Sequence, residues 1–295
     1  MRFYTYIGLL RNEIYVREVE DNKECSFFDN FTPTMYTTAP PEKCNYKTLD
    51  GKPVGSIKFD NIPSCKEFIK TYGDIPNYPI WGNTNYVVQY ISEKYSKKIS
   101  WDPSKLRIYT IDIEVSSEEG FPNIQTASSD ITAITVYDSI SKTYYSWGTG
   151  DYIPHDDTKN IKYDLCDDEE EMMESFLVWW ESNHPHIITG WNCKFFDIPY
   201  IINRLKYLDM KYKRLSQTGL INDRSVFIAG RENQYYTIFG ISTLDYIDLY
   251  KKFTYKIRES YRLDYIGSVE LGLKKLEVAD VQGYDLYKTN YQKFI

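Results

Sequence analysis

Residues 106–114, Leu-Arg-Ile-Tyr-Thr-Ile-Asp-Ile-Glu, constrain the fold more than any other stretch of the chain. The run is apolar enough to be a buried strand, yet it ends in Asp112 and Glu114, which the two-residue period of a strand puts on one face. A buried face rarely carries two unpaired carboxylates, because stripping water from them is costly. Two readings are open from the spacing alone. The strand end can be exposed, with both acids solvated, or the acids can share a divalent cation, since Mg²⁺ and similar hard ions favour oxygen ligands. D-x-E by itself is too short to choose between them.

A second acidic position follows in residues 186–200, His-Ile-Ile-Thr-Gly-Trp-Asn-Cys-Lys-Phe-Phe-Asp-Ile-Pro-Tyr. An apolar strand over 186–189 breaks at Gly190. A helix with Ile198, Ile201, Ile202 and Leu205 on one side begins after the loop. Asp197 falls at the helix start with Pro199 in the first turn, which fits an N-cap as well as a ligand.

The pair D-I-E and the later G-W-N-x-x-x-F-D resemble the first two exonuclease motifs of the family B DNA polymerases, the proofreading members of the DEDD exonucleases. Residues 112–115 with Gly120-Phe-Pro122, 133–139, 189–203 and 239–252 are similar to the replicative polymerases of T-even-type tailed phages. The resemblance is most specific over 106–275. It implies a 3′–5′ exonuclease using Mg²⁺ or Mn²⁺, two ions when the site is complete. Asp112 would bridge both ions, Glu114 would help bind one and Asp197 the other. Phe121 would wedge against the terminal bases, Asn192 would position the strand, and Phe196 and Arg231 would contact DNA. Lys275 matches a lysine near the scissile phosphate, and it reads equally as a solvated surface lysine.

The third motif of the family, Tyr-x-x-x-Asp, is not found: Tyr284, Tyr287 and Tyr291 are followed four places on by Lys288, Tyr291 and Ile295. No motif of the polymerase domain is found either. The expectation is therefore the N-terminal part of a family B polymerase, one chain of a split enzyme, with weak or no exonuclease activity in isolation. Its partners would be the single-stranded primer 3′ end, primer-template DNA and a C-terminal polymerase polypeptide. Two rival readings are a self-standing metal-dependent nuclease and a catalytically silent DNA-binding or assembly module.

Composition narrows the classes. No apolar run approaches the roughly 20 residues that span a bilayer, so no membrane association and a cytoplasmic location are expected. The five cysteines lack C-x-x-C spacing, and the three histidines lie away from them, which argues against zinc. Net charge is −7. DNA contact would then depend on local basic residues, such as the run 204–214, and on stacking by some of the 29 tyrosines and 14 phenylalanines.

The fold class expected is α/β (α+β), a β-rich N-terminal domain over 1–105 followed by a ribonuclease-H-like domain over 106–295 lacking its last helix. In the first domain, strands over 4–10 and 14–19 flank a turn at Arg11-Asn12. Ser64-x-x-Glu67 reads as a capping box opening a helix through Tyr72, and 86–95 as a second helix. The second domain reads as strands over 106–114, 131–137 and 143–147, a helix opened by Asp167, strand 186–189, helix 198–208 and strand 244–249. Residues 225–239 read as a hairpin turning at 229–233, which in the polymerase family helps separate primer from template.

Overall fold

The computed structural model describes residues 1–117, 120–154, 160–228, 230–273 and 286–295. The chain divides into two compact units, Met1–Lys105 and Leu106–Ile295. Among the described residues no helix is long and apolar enough to cross a membrane.

In the first unit, β1 (Arg2–Leu10), β2 (Glu13–Glu20) and β3 (Lys23–Asp29) form an antiparallel sheet. The first turn places Arg11 at φ 58°, as a two-residue hairpin requires. β4 (Thr34–Thr37), β5 (Tyr46–Lys47), β6 (Pro53–Lys58) and β7 (Ile80–Trp81) build a second sheet in the order β5-β6-β4-β7. The helices α1 (Ile62–Tyr72) and α2 (Tyr86–Lys94) accompany them. Buried Ile14, Phe31, Met35, Ile62 and Tyr90 join the elements into one core. The cap of α1 differs from the sequence expectation. Asn61, not Ser64, is the N-cap, and its side chain accepts from the Ser64 N–H at 2.9 Å. Pro63 in the first turn has no N–H to satisfy, which allows the helix to begin earlier than the S-x-x-E pattern implied.

The second unit is built on a six-stranded sheet. Its strands are β8 (Ile108–Val115), β9 (Ile131–Asp138), β10 (Thr143–Gly148), β11 (Asn160–Leu165), β12 (Ile187–Thr189) and β15 (Ser242–Thr243), in the order β11-β10-β9-β8-β12-β15. β8, β9 and β10 run antiparallel, whereas β12 joins β8 in parallel and β15 joins β12 in parallel. α3 (Glu169–Ser182) buries Met172, Met173, Phe176, Leu177 and Trp180 at helical spacing. Its N-cap is Asp168, one residue beyond the expected Asp167; Asp168 accepts from the Glu171 N–H, and Glu171 in turn accepts from the Asp167 N–H.

α4 (Asp197–Tyr207) follows β12, and β13 (Ile221–Ile228) with β14 (Arg231–Ile238) forms a separate antiparallel hairpin. Register pairs Ile228 with Arg231, so β14 already includes Arg231 and Asn233, which the sequence pattern places in a turn over 229–233. The expected strand at 244–249 is instead α5 (Tyr246–Phe253). Tyr246, Ile247, Leu249, Tyr250 and Phe253 repeat at helical spacing, and Asp245 caps the helix by accepting from the Ile247 N–H. α6 (Leu263–Leu271), α7 (Leu286–Thr289) and α8 (Tyr291–Phe294) complete the described elements.

Trp180 lies at the centre of this second core and donates its indole N–H to the Leu215 carbonyl at 3.0 Å. Trp180→Ala is expected to cost about 3–5 kcal/mol of stability. Denaturant unfolding should show the shift; a midpoint equal to wild type would contradict this packing.

Candidate carboxylate site

β8 carries the first two acids as strand periodicity requires. Tyr109, Ile111 and Ile113 are buried on one side, and Thr110, Asp112 and Glu114 are exposed on the other. The pairing of β8 with β12 ends at Thr110–Thr189, whereas its pairing with β9 continues to Val115. Beyond Thr110, one edge of β8 therefore has no neighbouring strand among the described residues. Asp197 takes that place: its carboxylate accepts from the Ile113 N–H at 3.1 Å. The loop and helix start are thus joined to the peptide between Asp112 and Glu114.

Asp197 is not the N-cap considered from sequence. It is the first residue of α4, and the cap position, Phe196, makes no side-chain capping bond. The Asp197 carboxylate is turned into the protein, where the residue is only 3% exposed. Burial pushes its pKa up to about 7, the nearby Asp112 pushes in the same direction, and the Ile113 hydrogen bond opposes both. The two acids are therefore close enough to repel. Among the described residues, no group of three or more His, Cys, Asp or Glu side chains is gathered tightly enough to hold a metal ion. Asp112 and Glu114 stand on the open face and Asp197 in the interior, so the three expected ligands form no closed cage.

The loop over 190–196 is tightly specified. A Cβ at Gly190 would sit 2.7 Å from the Ile111 carbonyl oxygen and 2.9 Å from the Cys193 Cβ, so only glycine allows this approach to β8. Asn192 has φ 68° and its carbonyl accepts from the Phe195 and Phe196 N–H groups. Asp245, 3% exposed, accepts from Asn192 N–H at 3.0 Å and Lys194 N–H at 2.9 Å. Asp245 was not singled out from the sequence. The available signal was an Asp preceding a helically spaced apolar run.

An aromatic shelf adjoins the acids. Phe121 is 85% exposed, with its ring centroid 5.9 Å from that of Phe196, which stacks on Tyr200. The loop bearing Phe121 is tied down from α4. Asn203 donates to the Ile124 carbonyl at 2.8 Å, and buried Arg204 donates to the Ala127 and Ser128 carbonyls while pairing with Glu169 and Asp130. The basic run 204–214 is accordingly structural in part: Arg214 also pairs with Glu174 and Glu181. Arg231 lies apart, exposed beside the tip of the β13–β14 hairpin. Lys275 falls outside the described residues.

The family described as "DNA polymerase family B, exonuclease domain" matches residues 82–266. The match begins inside the first compact unit, so it does not follow the boundary at 105/106. The chain is 33% identical to the DNA-directed DNA polymerase of Escherichia phage RB69 and 31% identical to that of Enterobacteria phage T4. Each alignment covers 99% of this chain and 35% of the relative. A DNA polymerase delta catalytic subunit from Drosophila melanogaster is 33% identical over 35% of this chain, which covers 10% of that subunit. The chain therefore spans about a third of the length of its phage relatives.

The Asp197 environment gives a pH test. An acid whose pKa is raised on folding contributes stability that is fully present below its unfolded value, near 3.9, and lost as pH rises through about 7. Asp197→Asn keeps an acceptor for Ile113 and removes the titration. In chelator, the melting temperature of the variant relative to wild type should climb between about pH 4 and 7 and then level off. A difference independent of pH would refute the buried-carboxylate assignment.

Proposed function

The chain belongs to the DNA polymerase family B exonuclease-domain family, and from that premise we propose that it carries a metal-dependent 3′–5′ exonuclease site that trims a mispaired primer end. The single observation that carries this reading is the meeting of Asp197 with β8 between Asp112 and Glu114. The strand order β10-β9-β8-β12-β15, with β12 and β15 parallel to β8, supports a ribonuclease-H-like fold for the second unit. On this reading the first unit is part of the polymerase N-terminal domain.

The donor set suits Mg²⁺ or Mn²⁺. All three groups are carboxylates, and the raised pKa of Asp197 reports a buried anion whose surroundings do not compensate its charge. Asp112, Glu114 and Asp197 would hold the cation. Bound there, it would supply a Lewis acid that activates water and stabilises the leaving oxygen. The protein's own groups do the rest. The exposed Phe121 ring, backed by Phe196, offers a stacking face for terminal bases, worth about 1–3 kcal/mol per base. Asn192 stands in the loop that leads into Asp197, where it would orient the strand end. Arg231, at the hairpin tip, would contact backbone phosphate further from the acids. Lys275 is proposed beside the scissile phosphate on resemblance alone.

The remaining carboxylate and the tyrosine of the third motif would come from polypeptide outside these 295 residues, as a continuation or as a companion chain. One observation favours the silent-module alternative: the described acids form no closed metal cluster. The assay that separates the two is trimming of a mismatched primer with Mg²⁺. The chain alone should trim weakly, the completing polypeptide should restore activity, and Asp112→Ala should lower the restored rate more than about 100-fold, beyond the effect of losing an outer-shell partner. Restored activity that is indifferent to Asp112→Ala would sink the site assignment.

A further inference from the structure

We infer that Asp245 is a positioning residue of this carboxylate site, clamping the loop between β12 and α4 so that Asp197 meets β8; the inference rests on the exonuclease reading above.

Asp245 sits where β15 gives way to α5, and an ordinary N-cap there would satisfy helix N–H groups of its own element. Here the carboxylate does more. Its Oδ1 accepts from Ile247 N–H at 3.0 Å and also from Asn192 N–H at 3.0 Å, while its Oδ2 accepts from Lys194 N–H at 2.9 Å. Two of these three bonds cross to the loop, and they use both oxygens. Serine, threonine or asparagine could cap α5, but none of them offers an acceptor at both positions. The requirement for aspartate therefore comes from the loop.

The bonds propagate to Asp197 through a short and rigid path. Asn192 is held in the left-handed region at φ 68°, and its carbonyl closes on Phe195 and Phe196. Cys193, between the two clamped amides, accepts from the Ile198 N–H in the first turn of α4. Two further bonds tie the same loop down: Gly190 accepts from Tyr246 N–H, and the Trp191 indole donates to the Tyr261 carbonyl at 3.0 Å. Gly190 in turn lies against the Ile111 carbonyl of β8. Loop, helix start and strand are thus set by one buried side chain whose hydrogen bonds go to Asn192, Lys194 and Ile247.

The test reads the far end of this path. The Ile113 N–H reports the Asp197 carboxylate directly. Amide hydrogen exchange on the full chain is compared for wild type, Asp245→Ala and the gentler Asp245→Asn, which puts an NH₂ group against the Lys194 N–H. Positioning predicts about tenfold or more faster exchange at Ile113 in Asp245→Asn, a modestly lower thermal midpoint from the lost Lys194 bond, and the rest of the sheet still protected. Mn²⁺ affinity, measured by calorimetry, should fall about 10- to 100-fold, the range seen when groups behind a ligand are removed. Faster exchange at Asn192 and Lys194 with wild-type exchange at Ile113 would overturn the inference, leaving Asp245 as a local cap. Mn²⁺ binding indifferent to Asp112→Ala would instead defeat the exonuclease reading, and Ile113 exchange would still decide the role of Asp245.

Discussion

The hydrogen bond from the Ile113 N–H to Asp197 is the interaction on which the rest of the second unit depends. A central strand needs partners along both edges, because an unpaired buried N–H is costly. β12 is only three residues long, which among the described residues leaves one edge of β8 without a strand just where its two acids emerge. A side chain from the next helix closes that edge, and in doing so brings a third carboxylate to the carboxyl end of the strand. The sheet defect and the site are one feature. Crevices at the carboxyl ends of strands, where neighbouring connections diverge, are common places for chemistry.

α4 then acts as a hub. Its first residue meets β8, while Asn203, Arg204 and Lys206 on later turns reach the loop bearing Phe121, the first turn of α3 and the base of the hairpin. Asn203 accepts from the Tyr236 hydroxyl at 2.6 Å, and Lys206 donates to the same oxygen at 2.7 Å. Glu169, paired with Arg204, also accepts from the Ile131 N–H at the start of β9. Polar side chains buried this way are useful only if all are satisfied. Here they hold the aromatic shelf, the hairpin and the acids to one helix.

Much of this was legible in the sequence because it rests on periodicity. The D-I-E spacing gave the shared face of Asp112 and Glu114, and the stripe of α3 gave its buried residues. The failures have physical causes. β11 escaped notice because it is an edge strand with no fully buried residue to mark it. Residues 244–249 alternate enough to resemble a strand, and only the longer spacing to Phe253 reveals a helix. The basic run 204–214 suggested a phosphate-binding surface, but Arg204 is buried among acids distant in sequence, which no local pattern can announce. Asp245 was missed for the same reason: two of its three partners lie about fifty residues away.

The central claim is that carboxylates from β8 and α4 form one cation-binding site. Mn²⁺ titrated into the ¹⁵N-labelled chain tests it directly, because the paramagnetic ion broadens amides in its vicinity. The account predicts that resonances of residues 112–115 and 196–198 are lost first. First losses among the acids of residues 164–171, with Ile113 and Asp197 still sharp, would contradict it.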